Sequence, residues 1–146
     1  MQKGVTPQAA MDQVVAATDG RESRQVGVID VQGRSAQWTG RRQYARRRKA
    51  TGCMRTGATI AVQGNSLVSP SVVDAVADTF QASEGSVRTL ADRMIEALTA
   101  GHKLGGDGRH GETQSAAVVV ADPRAGRSRR PDKVTVNINV RTSPAA

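Results

Sequence analysis

AVQGNSL, residues 61–67, is the stretch on which the fold turns. Thr59–Gln63 reads as a strand. Gly64-Asn65 suits a tight backbone turn, because glycine and asparagine tolerate the conformations that turns require. Val68-Ser69-Pro70 then reads as a helix start, with Ser69 as cap and Pro70 at the first helical position. A strand that hands over to a helix in this way places backbone N–H groups and a carboxamide at a sheet rim, where small-molecule sites are common. A structural turn explains the same two residues, and both readings stand.

Working outward, Thr6-Pro7 opens a first helix carrying Ala10, Met11, Val14 and Val15 on one stripe, closed by Asp19-Gly20. RQVGVID (24–30) and Ser35–Thr39, joined through Gln32-Gly33, predict a β-hairpin. Arg41–Gly57 lacks any period and is expected to be a basic loop. After Pro70 a helix presents Val72, Val73, Val76 and Phe80. Ser86 is the expected cap of the next one, with Val87, Leu90, Ala91, Met94 and Leu98 buried and Gly101 as its stop. The two form an antiparallel helical hairpin. Gln114–Ala121 reads as a buried strand, Lys133–Arg141 alternates as a strand with one wet face, and 142–146 is a tail. Strands that meander around an inserted helical pair imply an α+β fold with antiparallel sheet.

The length, 146 residues, fits one domain (1–146). With one Trp, one Tyr and one Phe, the core must be aliphatic and small. The single cysteine, Cys53, excludes an internal disulfide. No apolar run reaches the length of a membrane helix, and MQKGVTPQAA has no signal-peptide pattern, so a cytoplasmic protein with no membrane contact is expected. The net charge of +8 is concentrated. Arg41, Arg42, Arg46, Arg47, Arg48, Lys49 and Arg55 occur with no acidic residue among them, and a second cluster lies in Arg124–Lys133. Such patches suit phosphate backbones, but stacking aromatics and a nucleic-acid motif are both lacking.

The segment GHKLGGDGRHGET (101–113) is glycine-rich but has no Gly-Lys-Ser/Thr and runs into a strand, so it is not a P-loop. Its polar neighbours are the stronger candidates. Asp107 and Arg109 can pair, while Gln114 and Ser115 open a strand that needs partners. His102, His110 and Cys53 form no recognised ligand pattern, so neither metal nor other cofactor is expected. Cys53 reads as an incidental loop residue.

Together, RQVGVID (24–30), the Thr39-Gly40 step, AVQGNSL (61–67), VVDAVADTF (72–80) and GDGRHGETQSAA (106–117) resemble the bacterial family called domain of unknown function 1028, in order and spacing from Gly4 to Ala121. That resemblance implies an N-terminal-nucleophile (Ntn) hydrolase-like sandwich of antiparallel sheets and helices. Members of the family carry earlier strands and a Thr or Ser near the N-terminus; here Met1-Gln2 offers no such nucleophile, and Thr6 is the nearest candidate. The resemblance therefore implies a sandwich incomplete at its N-terminus, without amide-hydrolase activity as this chain. Its expected pocket comprises Gln63, Gly64, Asn65, Asp107, Arg109, Gln114 and Ser115, facing a small-molecule ligand. Polyanion or nucleic-acid binding through Arg41–Lys49 is the alternative. An uncovered sheet edge would favour a homo-oligomer.

Overall fold

The computed structural model describes residues 4–41, 51–56, 59–108, 115–121 and 134–141. Three helices and six strands occupy these residues: α1 (Pro7–Ala16), β1 (Gln25–Ile29), β2 (Ser35–Thr39), β3 (Thr51–Thr56), β4 (Ala61–Leu67), α2 (Ser71–Ala82), α3 (Leu90–Lys103), β5 (Ser115–Ala121) and β6 (Val134–Arg141). The described strands pair as three antiparallel hairpins, β1–β2, β3–β4 and β5–β6. The α+β expectation holds at that level.

Local signals set several boundaries. Thr6 Oγ1 accepts from Ala9 N at 3.2 Å and Pro7 occupies the first turn, so α1 starts where its cap places it. In the first hairpin, Asp30 Oδ1 accepts from Gln32 N and Arg34 N, both at 2.9 Å, and Gly33 takes φ 78°. The Arg34 guanidinium closes on Asp30 Oδ2 at 2.6 Å. α1 covers this hairpin, and Met11, 2 % exposed, is its largest fully buried side chain.

Several expectations need correction. The segment 41–57 is not a loop throughout. Thr51–Thr56 is β3, paired with β4 from Thr56↔Ala61 onward, and Cys53 lies in that strand opposite Gly64. Its polar sequence has weak strand character of its own; the neighbouring β4 supplies the ladder that makes it a strand. Residues 42–50 and 57–58 lie outside the described set. The strand predicted at Thr59–Gln63 instead runs from Ala61 to Leu67, through Gly64-Asn65, and α2 begins at Ser71 after Pro70.

α3 begins at Leu90, because Thr89 makes reciprocal contacts that Ser86 does not. Its Oγ1 accepts from Asp92 N at 3.2 Å and donates to Asp92 Oδ2 at 2.7 Å. The face of α3 is also rotated from the expected one. Ala91, Ala97 and Gly101 are buried, while Val87, Leu90 and Leu98 are exposed. Close approach to α2 decides this: a Cβ on Gly101 would lie 2.6 Å from Val76 Cγ2. Only small residues fit the contact, so Gly101 is an interior packing residue and α3 continues to Lys103. Arg93 closes the other end of the pair. It lies 4.5 Å over the Phe80 ring and donates to Ser83 Oγ at 2.8 Å.

β5 is not the fully buried strand its valines predicted. Val118 is buried, but Val119 is 53 % exposed, because α3 covers one face of the hairpin only. In β6, Ile138 and Val140 are exposed as well.

Burial works against ionisation of Asp30. The Arg34 side-chain hydrogen bond, the Arg34 and Gln32 backbone N–H groups and the Arg34 charge outweigh it and hold the carboxyl below the usual aspartate range. The group therefore stabilises the fold above the ordinary aspartate pKa, and this contribution is lost as pH falls through its lowered folded value. Thermal melts from pH 6 to below about pH 3 should show a steeper acid-side fall in wild type than in Asp30→Asn, which keeps the turn geometry and loses the charge. Equal slopes would contradict this.

Candidate functional site

β4 is irregular at its C-terminal end. Cys53 pairs with Gly64, yet Thr51 pairs with Leu67, so β4 spans three steps where β3 spans two. One extra residue is thus inserted at Asn65-Ser66, which is a β-bulge. Ser66 has φ 59° and is the one non-glycine residue with positive φ among the described residues. A β-carbon in that region carries strain, and bulges re-aim the side chains beside them. Gly64 leaves room for a different reason: a Cβ would sit 2.7 Å from Leu67 Cδ1, so a larger residue here would have to displace the Leu67 side chain.

The bulged end does not stand alone. Gly108 N donates to Ser66 O at 2.7 Å, Val68 N donates to Gly106 O at 3.1 Å, and Leu67 bridges to Asp107. Gly106–Gly108 therefore lies along the end of β4, joined to it by one antiparallel bridge and two backbone hydrogen bonds. The end of AVQGNSL and the segment 106–108, both singled out in the sequence, meet here through the main chain of Ser66–Val68.

On the other side, Gln25 Nε2 donates to Gly64 O at 3.1 Å and to Thr39 Oγ1 at 3.2 Å, which fastens β1 to β4. Gln37 Nε2 donates to Arg55 O at 2.7 Å and fastens β2 to β3. Gln63 and Asn65 are both exposed, and neither carboxamide makes a hydrogen bond to a described residue. Each offers a donor and an acceptor, so the pair can recognise a neutral carbonyl or amide group.

The predicted residues fall into three groups. Gln63, Gly64 and Asn65 are successive residues of β4, and Asp107 bridges to Leu67, two residues past Asn65. Ser115 is exposed at the start of β5 opposite Arg141, in the hairpin packed on α3, and no described contact places it with the others. Arg109 and Gln114 lie outside the described residues. Sequence reasoning missed Ser66, Leu67 and Gln25. Ser66 carried no signal, since a bulge is a property of the pairing rather than of one strand.

Of the basic cluster, Arg42, Arg46, Arg47, Arg48 and Lys49 lie outside the described residues. Arg41 is exposed, and its backbone N–H donates to Glu22 Oε2 at 2.9 Å. Arg55 turns to α2, 2.7 Å from Asp78 and 3.6 Å from Asp74. It serves an ion pair between β3 and α2, which takes it out of any continuous positive patch. Among the described residues no three His, Cys, Asp or Glu side chains gather as a metal set, and no helix is long and apolar enough to cross a membrane.

The model of a family of unknown function, DUF1028, matches residues 1–146. The chain belongs to DUF1028. A crystal structure of a DUF1028 protein from Silicibacter pomeroyi is similar to it, with a TM-score of 0.69 at 24% identity over 97% of this chain. The match covers 54% of that protein, so this DUF1028 chain spans about half its length. That likeness establishes a shared fold. No curated protein matches the chain.

Because Ser66 sits in the left-handed region, Ser66→Gly should raise stability by about 0.5 kcal/mol or more and Ser66→Val should lower it by about 1–2 kcal/mol in urea unfolding. In a regular strand the sign for glycine would reverse, because glycine weakens strand interiors.

Proposed function

We propose that the bulged end of β4 and the Gly106–Gly108 strap form the polar end of a small-molecule site in an Ntn-hydrolase-like architecture. Asn65 and Gln63 donate to and accept from a neutral carbonyl or amide of the ligand. Asp107 holds the strap in place, and Ser66 supplies the re-aimed backbone. The observation that carries this reading is the coincidence of a strained bulge with two carboxamides that no described residue engages; strained non-glycine backbone clusters at sites where the surroundings over-determine it.

This reading assigns the bulged end of β4 binding of an amide and does not assign it hydrolysis. Ntn chemistry uses an N-terminal side chain as nucleophile and its own amine as base. Of the hydroxyls near the start of this chain, that of Thr6 is engaged in capping α1. The antiparallel hairpins and the packed helical pair support the architecture; the site itself supports recognition rather than bond cleavage.

Titration of the isotopically labelled chain with N-acetylglycinamide, a short neutral diamide, tests the site. The Asn65 side-chain resonances and the Val68 and Gly108 amides should shift together. Asn65→Ala should weaken the interaction about tenfold, the worth of one or two hydrogen bonds. Shifts elsewhere with none at these positions would refute the site, and turnover of amides that is lost in Asn65→Ala would refute the absence of hydrolysis.

A further inference from the structure

The rotation of α3 that buries its small residues leaves its large ones beside a groove. That groove lies between β1, β4 and the α2–α3 pair and encloses ≈ 480 Å³. Val76 and Phe80 of α2 and Met94 and Leu98 of α3 form one wall, Ile29 of β1 contributes to the other, and Gln63 of β4 supplies a carboxamide. The volume is within the range of small-molecule sites. The chain carries a net charge of +8, yet none of the described lining residues is charged.

We propose that this groove takes the alkyl chain of a neutral amphiphile whose amide or ester head reaches Gln63 and Asn65. The inference rests on the reading of the β4 bulge as a polar-ligand site and extends it by naming the substrate class. Three properties select the occupant. A charged head brought beside this lining would lose hydration with no opposite charge among the described lining residues to replace it, and Asp107 on the strap already has a partner of its own. A peptide strand laid along the aliphatic and aromatic wall would bury N–H and C=O groups without partners, whereas an alkyl chain has none to satisfy. At the polar end, the Gln63 carboxamide lies over Gly27: a Cβ on Gly27 would be 3.1 Å from Gln63 Oε1. The bare glycine leaves that carboxamide room to turn toward a ligand. Asn65 follows two residues on, about 7 Å along the strand, within reach of the same head group.

Calorimetric titration of the full chain with three ligands of equal tail, N-octanoylglycinamide, octanoate and octylammonium, tests the proposal. The neutral amide should bind at least about tenfold more tightly than either ion. Shortening its tail from octanoyl to butanoyl should weaken it by about tenfold or more, since each buried methylene contributes. Ala61, exposed and at the groove wall, provides the blocking variant. Ala61→Trp should remove the dependence on tail length while circular dichroism stays unchanged; the chain-length series on wild type stands without any variant.

Affinity independent of tail length but lost in Asn65→Ala would overturn the groove and leave the bulge site intact. Tail-dependent binding indifferent to Asn65→Ala would support the groove and refute the bulge as its polar end. Equal binding of the ions, absence of binding by all three, or a groove closed by self-association in sedimentation would overturn the proposal.

Discussion

The main-chain pairing of Ser66–Val68 with Gly106–Gly108 is the constraint from which the centre of the molecule follows. The chain leaves β4 at Leu67, runs out along α2, returns along α3 and rejoins the place it left. Closing that excursion costs entropy that grows only slowly with its length, so two backbone hydrogen bonds and a packed helical pair suffice to hold it. The helices must then be antiparallel and nearly equal in length, and they are, at 12 and 14 residues. The same closure reaches β4 at the end where the extra residue of the bulge lies, at Asn65-Ser66. Position of the candidate site and topology of the helical pair thus have one cause.

A second consequence concerns where the apolar side chains go. Helices whose two ends are closed onto one strand approach tightly, and Gly101 against Val76 is a point where they do so. Alanine and glycine therefore take the interior of the contact, and the core remains small: Ala77, Ala91 and Ala97 are among its buried residues. Leu90 and Leu98 are displaced to the flanks, 45 % and 47 % exposed. A helix that would ordinarily seal the core with leucine instead borders a groove with it. The small aliphatic core and the apolar groove are two sides of the same packing choice.

What was legible in the sequence was what neighbouring residues decide among themselves. The Thr6-Pro7 helix start and the turn at Gln32-Gly33 rest on interactions within a few positions, and each was readable. The antiparallel, helix-inserted order was readable for the same reason. β3 was not, because its residues become a strand only against β4. Gly64-Asn65 was read as a turn because its chemistry fits one; the glycine is there for Leu67, and the asparagine belongs to a bulge set by pairing with β3. The leucine stripe of α3 predicted the buried face by hydrophobicity, while close packing chose the small residues. Of the site, Gln63, Gly64, Asn65 and Asp107 were named from sequence. That Asp107 reaches the end of β4 depends on a contact between positions some forty residues apart, and that Ser66 is the strained residue there depends on pairing with β3, neither of which a local pattern encodes.

Native-state hydrogen exchange at two amides tests the central constraint most directly. Val68 N–H and Gly108 N–H are the two donors that close the helical excursion onto β4. Both should exchange as slowly as the interior amides of β4, and in concert, because opening either frees the same segment. Exchange of both at unprotected rates while the β3–β4 ladder stays protected would contradict it, and would detach the glycine strap, Asp107 and the bulge from one another.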